Sequence, residues 1–583
     1  MLDPLLLVLV GVVLYTVGAT FLKMRGRLPE YINVSGPITT LHTKRGRVLL
    51  DRLAQPKRFW RAWGNFGIGA ALVVLVGSFL LVALAAVQAI QNPTPTALNE
   101  PRNVLAIPGV NQFLPLSAAF EILLGLLIGL VVHEGGHGLM CRVEDIDIES
   151  MGLALFAFIP VGAFVAPDEE SRRRASRGGQ TRMFAAGVMN NFAVAVVAFA
   201  LLFGPVMGSI AVVSGAPVGG VLPGSPAAQN GIERGDVVTA IDGVTVEDAD
   251  SLEAALAATD ARTVDVTLES GETVGIERSV IVTGSASDSP LDVNSTVTAV
   301  NGTGVFTESA FREALADREV ATLTTAGETE TVTTPVGTLT TPIEGSAFAA
   351  AGAPAGESVV VTHIGGERTL DHAALSTVLD GFGPGDEVEV VGYVDGERET
   401  WTVTLGEQND EAFLGVTVAR GVTGMTVDDF GTDPYPAAQF LGILGGGDGG
   451  GIDSPIQRAV VTLSLPFLSA TGGAGYSFAG FNGAVANFYT ATGPLSVLGT
   501  GAVLLLANVL YWMAWINLII GQFNCVPAYP LDGGHLLRTS TEAIVSRLPV
   551  PDPRSVTSAV TTTVTLVMLG GLFVVIFGPR LLT

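Results

Sequence analysis

The sequence predicts a multi-span α-helical membrane protein with about six transmembrane helices and inserted α+β domains. Of the 583 residues, 48% are hydrophobic, and the mean hydropathy is +0.50. The apolar residues collect into long runs, and an acidic block rich in Gly and Asp-Gly turns separates the fourth run from the fifth. This composition is too apolar for an ordinary soluble protein, and the acidic block excludes a simple bundle of membrane helices.

Six apolar runs are each long enough to cross the roughly 30 Å hydrocarbon core of a bilayer. The runs are approximately Leu5–Leu22, Gly64–Ile90, Phe113–Cys141, Met183–Val213, Val497–Gln522 and Val556–Phe577. The first run lacks the positive n-region and the small-residue cleavage site of a signal peptide. We therefore expect it to be retained as a span.

Basic residues predict the topology. The segment Lys23–Arg61 carries ten Lys and Arg against two acidic residues, which places it in the cytoplasm by the positive-inside rule. Alternation of the spans then puts Arg142–Arg182 and Asn524–Arg554 inside as well, and the N-terminus and the acidic block outside. The end of the third run and the segment after the fifth run therefore reach the same side of the membrane, where they can meet.

The net charge of −25 belongs to one block. Residues Val213–Phe430 hold 36 Asp and Glu against 8 Arg, whereas the rest of the chain holds 19 acidic and 22 basic residues. Lys occurs at three positions only. An acidic, Lys-poor surface is typical of proteins adapted to high salt, so we expect a halophilic protein, with an ordinary acidic domain as the alternative. We expect no nucleic-acid partner, and we expect Cys141 and Cys525 to be inert buried thiols.

The most specific motif is His133-Glu134-Gly135-Gly136-His137, near the end of the third run. Two histidines at i and i+4 lie on one face of a helix, so both imidazoles can bind one Zn²⁺. Glu134 lies between them and is placed to take a proton from water. Because ionisable residues are costly at membrane depth, each of these three residues is a functional candidate.

A carboxylate from a distant segment completes the predicted site. After the fifth run, two prolines interrupt the helix, and a Gly-Gly pair is expected to loosen the backbone beyond them. Asp532 lies on this irregular backbone, which survives at a membrane boundary only when it is buried or lines a wet cavity. A catalytic zinc takes three protein ligands and keeps one open position, so we predict that His133, His137 and Asp532 bind one Zn²⁺ per chain. The alternative for Asp532 is a helix N-cap.

These motifs resemble the site-2 protease family of intramembrane zinc metalloproteases. The resemblance is carried by HExxH at the inner end of a span, by the Asn-x-x-Pro-x-x-Pro-Leu-Asp-Gly segment that starts at Asn524, and by a Gly-x-x-x-Asn motif. It covers roughly residues 115–212 and 495–545. The stretch Gly152–Pro167 is similar to the membrane-embedded hairpin that comes after the HExxH helix in the family.

The resemblance implies roles for particular residues. Glu134 is expected to be the catalytic base, and Gly187, Asn191 and Asn524 are expected to lie near the substrate, with Asn190 as a packing residue. Interhelical hydrogen bonding is the alternative for Asn191.

The remaining histidines receive weaker assignments. His535 is expected to lie beside the ligands and not to be a fourth one. His42 has no identifiable role, and His363 and His372 are expected at the surface of the acidic block.

The acidic block contains short β-branched runs separated by Gly and Asp-Gly turns, typical of small β-rich modules. Gly224–Ala228 and Gly235–Gly243 resemble parts of a PDZ domain, and a similar order recurs after Gly345. Thr296–Gly302 repeats part of the pattern without its Gly-Ser-Pro opening. PDZ domains bind extended peptides by adding a strand to a sheet edge, so the resemblance implies peptide-binding or gating modules. Inert spacers are the alternative.

These observations divide the chain into seven segments. They are an N-terminal two-span region with a basic loop (1–112), the first part of the catalytic core (113–212), a PDZ-like domain (213–285), a degenerate PDZ-like segment (286–340), a second PDZ-like domain (341–425), a Gly-rich linker with an interfacial segment (426–495), and the second part of the catalytic core with the last span (496–583).

The sequence therefore predicts a zinc endopeptidase of the cell membrane. It is expected to cleave transmembrane segments of membrane-anchored proteins near the cytoplasmic side, after an upstream site-1-type protease has trimmed them. One alternative is a catalytically inactive scaffold that binds peptides through its PDZ-like modules, against which the intact Glu134 argues. Another is an extracytoplasmic zinc peptidase tethered by spans, which the positive-inside pattern opposes.

Overall fold

The computed structural model describes residues 4–104, 107–157, 159–327, 331–408, 411–446, 452, 454–471 and 475–582. The chain forms two compact units. The helical unit contains Met1–Ala211, Ala438–Gly483 and Tyr489–Thr583, and the β-rich unit contains Val212–Ala437 and Ala484–Phe488. Most of the predicted Gly-rich linker, residues 447–451, lies outside the described residues.

The α-helices are bounded largely by residues that cap them. Thr43 and Ser176, for example, each accept a hydrogen bond from a backbone N–H in the first turn of the next helix. The helices are α1 Pro4–Met24, α2 Lys44–Leu53, α3 Lys57–Gln91, α4 Pro101–Val104, α5 Ala119–Val143, α6 Glu169–Arg174, α7 Arg177–Leu201, α8 Pro226–Gln229, α9 Ala249–Ala257, α10 Glu308–Ala316, α11 Ala347–Ala350, α12 His372–Leu379, α13 Ala437–Ile443, α14 Pro455–Ser464, α15 Thr500–Asn524, α16 Asp532–Val545 and α17 Pro553–Leu581.

Five helices among the described residues, α3, α5, α7, α15 and α17, are long and apolar enough to cross a membrane. They confirm the predicted class of a multi-span helical membrane protein. The first predicted span falls on α1, where the described residues give a shorter apolar helix, Val10–Met24. Among the described residues, five helices thus meet both the length and the composition of a membrane span, where the sequence predicted about six spans.

The three helices α5, α7 and α15 pack closely against one another at the centre of the helical unit. Glycines at the crossings allow this approach: a Cβ at Gly136 would lie 2.7 Å from the carbonyl oxygen of Ala186, and one at Gly129 would lie 2.7 Å from the Ile520 side chain. Small residues are typical of close contacts between membrane helices. The two glycines of the HExxH motif differ, because a Cβ at Gly135 would have no atom within 4 Å.

Two hairpins from different loops form one antiparallel sheet in the helical unit. The strands are β1 Ile32–Ser35, β2 Ile38–His42, β3 Ile148–Phe156 and β4 Ile159–Pro167, in the order β1-β2-β3-β4. Because β2 pairs with β3, the basic loop before α3 and the loop after α5 lie at the same end of the helices. The segment that resembles the family hairpin is therefore extended by two strands from the N-terminal region.

The segment after the predicted linker packs against α15. Its helix, α14, is followed by a 3₁₀ stretch at Leu465–Thr471, and the indole Nε1 of Trp515 donates to the carbonyl of Leu463 at 3.0 Å. Cys141 and Cys525 are both free and buried.

The β-rich unit consists mainly of three antiparallel sheets. The strands that come after β5 (Ile210–Val212) are β6 Ala216–Val221, β7 Val237–Ile241, β8 Val244–Thr245, β9 Thr263–Leu268, β10 Thr273–Glu277, β11 Val280–Ser285, β12 Thr296–Val300, β13 Thr303–Gly304, β14 Val320–Thr325, β15 Thr331–Pro335, β16 Thr338–Pro342, β17 Val359–Ile364, β18 Glu367–Arg368, β19 Glu387–Val394, β20 Glu397–Thr404, β21 Gly406–Gln408, β22 Glu411–Phe413, β23 Val416–Val418, β24 Met425–Asp428, β25 Thr432–Pro434 and β26 Tyr489–Ala491.

The three sheets are nested along the sequence: the last strand of each sheet comes after all the strands of the sheets that follow it. Their strand orders are β10-β9-β7-β6-β25, β15-β14-β12-β11-β24 and β20-β19-β17-β16-β23. After the third sheet, the chain returns through the sheets in reverse, since β23 completes the third, β24 the second and β25 the first. Each sheet covers its own buried cluster, which contains Phe430, Phe311 or Phe348.

The sheets cross the expected segment boundaries. β11 falls in the expected first PDZ-like domain but pairs with β12 of the second sheet, and β25 lies after the expected end of the third module but pairs with β6. The segment 286–340, expected to be degenerate, contributes to a sheet with the same strand order as its neighbours. Long-range pairing of this kind leaves no local signal in the sequence.

The chain passes between the first and second sheets twice, and a buried ion pair links these two connecting segments. Arg278, on the outward crossing between β10 and β11, donates through Nε to Oδ1 of Asp429 at 3.0 Å, and Asp429 lies on the return crossing between β24 and β25. Both residues are at most 5% exposed. Oδ2 of Asp429 also accepts from the backbone N of Glu308 at the start of α10. A buried pair is costly unless its lone pairs are satisfied in this way.

We expect the ionisation of the neighbouring Asp428 to make the stability of the β-rich unit depend on pH. Burial raises the pKa of Asp428 to about 6, although the backbone N–H groups of Gly431 and Phe430 donate to its Oδ1. An unfolded Asp has a pKa of about 3.9, so this carboxyl favours the folded state below that value, and its contribution is lost as the pH rises through 6.

Asp428→Asn keeps the acceptor oxygen and removes the charge. We expect it to stabilise the β-rich unit at pH 7.5 by about 1–3 kcal/mol and to give no gain at pH 4. Hydrogen exchange of the β24 and β25 amides, compared with wild type at each pH, measures this. The matched control is the exposed Asp260→Asn. Equal protection in wild type and Asp428→Asn at pH 7.5 would contradict the assignment.

Candidate metal centre

Three side chains from two distant segments converge in the helical unit. α5 presents His133 and His137 one turn apart, with their Nε2 atoms 3.1 Å from each other. Oδ2 of Asp532, the first residue of α16, lies 3.1 Å from each of these nitrogens. The three predicted ligands therefore meet, and they form a cluster of metal-ligating groups in the described part of the chain.

Close backbone packing holds Asp532 in place. After α15 ends at Asn524, the chain turns through Cys525–Leu531 and α16 starts at Asp532. A Cβ on Gly533 would overlap the carbonyl of Val526, and one on Gly534 would lie 2.8 Å from the Ala528 carbonyl carbon. The Gly-Gly pair thus fixes the start of α16 against the preceding loop, so the expectation from the sequence that it loosens the backbone was wrong.

The hydrogen bonds of the two histidines determine which ring nitrogens face the cluster. Nδ1 of His137 lies 2.8 Å from the carbonyl oxygen of Met183, and Nδ1 of His133 lies 2.7 Å from Oδ1 of Asn191. Both partners are acceptors, because the Asn191 amide nitrogen donates elsewhere, so each ring carries its proton on Nδ1. Both Nε2 atoms therefore face the Asp532 carboxylate and are the ring atoms that can bind a cation there.

This arrangement fits a divalent metal ion. When neither Nε2 carries a proton, two lone pairs and a carboxylate oxygen at mutual distances of 3.1 Å repel one another unless a cation lies among them. Oδ2 of Asp532 is buried and accepts no hydrogen bond from the described residues. Tetrahedral zinc ligands at about 2.0–2.1 Å from the ion stand roughly 3.3 Å apart, close to the observed spacing. Two imidazoles and one carboxylate also match the ligand set of a hydrolytic zinc site.

Glu134 lies on α5 between the two histidines but outside their cluster. Its Oε2 accepts a hydrogen bond from the backbone N of Val165 in β4 at 2.9 Å. The same carboxylate lines an open cavity on that side of α5. The strand thus fixes the side chain while leaving it accessible to a reactant.

Gly187 lies against the metal-binding face of the histidines. A Cβ at this position would lie 2.6 Å from Nε2 of His137 and 2.9 Å from Cε1 of His133. No larger residue fits there without displacing the imidazoles. The predicted position near the substrate remains a prediction, whereas the contact with the ligand rings is observed.

Asn191 is fully buried and belongs to a chain of amides that the sequence motifs did not reveal. Its Nδ2 donates to the carbonyl of Gly129 at 3.0 Å and to Oδ1 of Asn517 at 2.9 Å, and its Oδ1 accepts from His133. Asn517, on α15, has no exposed surface. Partners of this type fix the orientation of a metal-binding imidazole. Asn517 has no motif around it, but a polar residue in the middle of an apolar run was the available signal.

The other predicted residues have different surroundings. Asn190, expected to be a packing residue, lines the cavity with Glu134 and accepts from the indole N–H of Trp63. Nδ2 of Asn524 donates to the Ile520 carbonyl within its own helix, and Asn524 is outside the metal-ligand cluster. His535 stacks on Phe184 with ring centroids 4.4 Å apart, and it is likewise outside the cluster.

The described part of the chain thus combines helices that are long and apolar enough to cross a membrane with a His-His-Asp cluster and a carboxylate between the two histidines. Residues 121–570 match the model of peptidase family M50. This match covers well over half of the chain, which therefore belongs to peptidase family M50, and the resemblance to site-2 proteases is confirmed.

One curated relative is similar over part of its length. It is the membrane-bound transcription factor site-2 protease homolog of Arabidopsis thaliana, which is 29% identical over 192 residues. The aligned region is 32% of this chain and 36% of the relative. The chain thus matches about a third of that protein.

Gly187→Ala should disrupt the metal centre, because the added methyl group occupies the space of the His137 ring nitrogen. We expect the zinc affinity of the purified protein to fall by about 10–100-fold, measured by competition with a chelator. The matched control is Gly135→Ala, which adds the same group where no atom lies within 4 Å. Equal affinities for the two variants would contradict the steric argument.

Asn191→Ala should weaken metal binding without removing a ligand, because His133 loses the acceptor that holds its tautomer. The expected loss of zinc affinity is again about 10–100-fold. Asn190→Ala, at the adjacent position, leaves the hydrogen bonds of both histidines intact and should retain wild-type affinity. Unchanged affinity in Asn191→Ala would exclude the orienting role.

Proposed function

We propose that this protein is a zinc endopeptidase that cleaves transmembrane segments of membrane-anchored proteins near the cytoplasmic side. The observation that carries the proposal is the convergence of the Nε2 atoms of His133 and His137 with the Asp532 carboxylate at mutual distances of 3.1 Å, next to Glu134. His133, His137 and Asp532 would hold one Zn²⁺ per chain. When bound, this ion supplies Lewis acidity, which acidifies water and polarises a peptide carbonyl.

In this mechanism, Glu134 carries the proton. Its carboxylate accepts a proton from the attacking water while the water oxygen bonds to the carbonyl carbon of the substrate. It then delivers the proton to the amide nitrogen as the C–N bond breaks, which releases a neutral amine. The hydrogen bond from the Val165 backbone N keeps the carboxylate in position between the two transfers.

An unwound substrate is part of the proposal. In a helix, each carbonyl is shielded by its own hydrogen bond, so the peptide must become extended before water can attack. β4 is the terminal strand in the order of its sheet, and it lies directly beside Glu134. An extended segment could pair with that edge. Membrane spans that contain Gly or Pro and unwind at low cost are the expected substrates.

The cytoplasmic location of the site rests on the basic residues around it. Lys57 and Arg61 at the start of α3 pair with Asp145 and Glu144 just beyond the end of α5. The positive-inside rule places such a cluster in the cytoplasm. The β-rich unit would then be extracytoplasmic.

The proposed role of the three β-sheets is to bind peptides in the manner of PDZ domains. In the first sheet, β25 is the terminal strand, and a cavity of about 600 Å³ lies beside it, lined by Leu252, Leu256 and Phe430 among others. Charged residues such as Arg278, Glu308 and Arg312 line the cavity as well. A terminal strand beside a cavity suits strand addition. Such binding would recruit substrates that an upstream protease has trimmed, or exclude those that it has not.

Glu134→Gln tests the mechanism. We expect the variant to keep its zinc, because no ligand changes, and to lose cleavage of a single-span reporter protein by about 10²–10⁴-fold, because amide side chains accept no proton. The assay follows the reporter fragments by mass spectrometry and the metal content of the same preparation. The control is Glu149→Gln, an exposed carboxylate on β3. Full activity in Glu134→Gln would remove Glu134 as the base, and a wild-type protein that neither binds zinc nor cleaves would favour the scaffold alternative.

A further inference from the structure

A cavity of about 550 Å³ opens beside Glu134 in the helical unit. Its lining includes Glu134, Gly135 and Asn190, and most of the other lining residues are apolar ones from β2, β3, β4, α2 and α5. The volume exceeds that of any one side chain, and it is within the range of ligand pockets. Glu134, which carries the proton in the proposed mechanism, therefore forms part of the cavity wall.

One wall of the cavity comes from an amphipathic helix. α2 contributes Gly46, Leu49, Leu50 and Leu53, at spacings of three and four residues, so they form one stripe along the helix. Leu49 is 55% exposed and Leu53 is 47% exposed. Half-exposed leucines beside a catalytic carboxylate form an apolar surface that lacks a partner within the described part of the chain.

α2 is held rigidly against the catalytic helix. Leu50 is buried and packs so closely on α5 that a Cβ at Gly138 would lie 2.7 Å from it. Asp51 pairs with Arg142 at 3.0 Å, and the indole N–H of Trp60 donates to the Leu53 carbonyl at 2.8 Å. The wall is therefore preorganised rather than a loop that must fold onto a ligand.

A second feature of the cavity lining is aromatic. His42, the last residue of β2, contacts Phe164 of β4 edge to face with ring centroids 5.2 Å apart, and both line the cavity. His42, to which the sequence assigned no role, thus belongs to the cavity lining. α2 and β2 both precede residue 121, where the match to the peptidase family begins, so this wall lies outside the matched region.

We propose that α2 forms a specificity-determining wall of the active site, which accepts apolar side chains flanking the scissile bond of the unwound substrate. The proposal rests on the proposed proteolytic function, since the occupant is the substrate segment that passes Glu134. An apolar wall next to Glu134 favours Leu, Met or Phe at the flanking positions and rejects Asp or Lys, because a charge there would lose its hydration without a partner.

The first experiment reshapes the cavity. In a single-span reporter whose cleavage site has been mapped by mass spectrometry, each flanking residue is varied among Ala, Leu, Phe, Trp and Asp. We expect Leu49→Ala combined with Leu53→Ala to shift the preference toward Phe and Trp by about 10-fold relative to Ala at one flanking position, and Leu53→Trp to shift it by a similar factor toward Ala. Val48→Ala and Val48→Trp are the controls, since Val48 lies on the same helix, is 61% exposed and does not line the cavity.

The second experiment detects the occupant without turnover. In the Glu134→Gln protein, Leu53→Cys should form a disulfide with a cysteine placed beside the cleavage site of the reporter, and Val48→Cys should not. The native Cys141 and Cys525 are buried, so the introduced thiol is the accessible one.

The outcomes distinguish failure of the wall from failure of the proteolytic function. Unchanged preferences in the reshaped variants, with wild-type zinc content and cleavage, overturn the wall while the proteolytic function stands. Equal cross-linking at positions 48 and 53 also overturns it. A third outcome is cross-linking at position 53 but not at position 48, while the protein with Glu134 intact also fails to cleave the reporter. That outcome supports peptide binding in the cavity and rejects the proteolytic function.

Discussion

The electrostatic conflict at the meeting of α5 and α16 is the constraint on which the structure depends. Two imidazole nitrogens and a carboxylate oxygen lie within 3.1 Å of one another in a largely apolar bundle. Such a group is unfavourable by itself and becomes favourable around a cation. The surrounding parts hold it together: the glycines of α5 and α7 let the helices approach, and the Gly-Gly pair fixes Asp532 against its loop. Fold and chemistry are thus linked through one small cluster.

Residues that are not themselves proposed metal ligands also hold the cluster in position. The Met183 carbonyl and the Asn191 amide each set one tautomer, and Asn517 sets the orientation of Asn191 from a third helix. All three central helices therefore contribute to the alignment of the histidines. On the other side, a backbone N–H of β4 holds Glu134, so a strand and not a helix positions the proposed base.

The sequence predicted the parts of this site that carry a local signature. The His-Glu-Gly-Gly-His spacing placed both imidazoles on one helical face, and the alternation of spans brought Asp532 to the same side. The fold class and the family were predicted on the same grounds and are confirmed. Other features depend on contacts between distant residues: Asn517 meets Asn191 across more than 300 positions, β2 pairs with β3 across the two long helices α3 and α5, and β25 returns to β6. No periodicity encodes such pairings, so the nested sheets and the α2 wall were missed.

The nesting of the three sheets sets the sequence in which they can close as the chain is synthesised. The innermost sheet receives β23 first, the middle one receives β24 next, and the outermost waits for β25, although its first strand was made about 200 residues earlier. The module that emerges first is thus the last to be finished. If the chain is truncated before β23, all three sheets lack their last strand and keep an unpaired edge. A defect in the innermost sheet therefore also affects the folding of the two sheets that enclose it in the sequence.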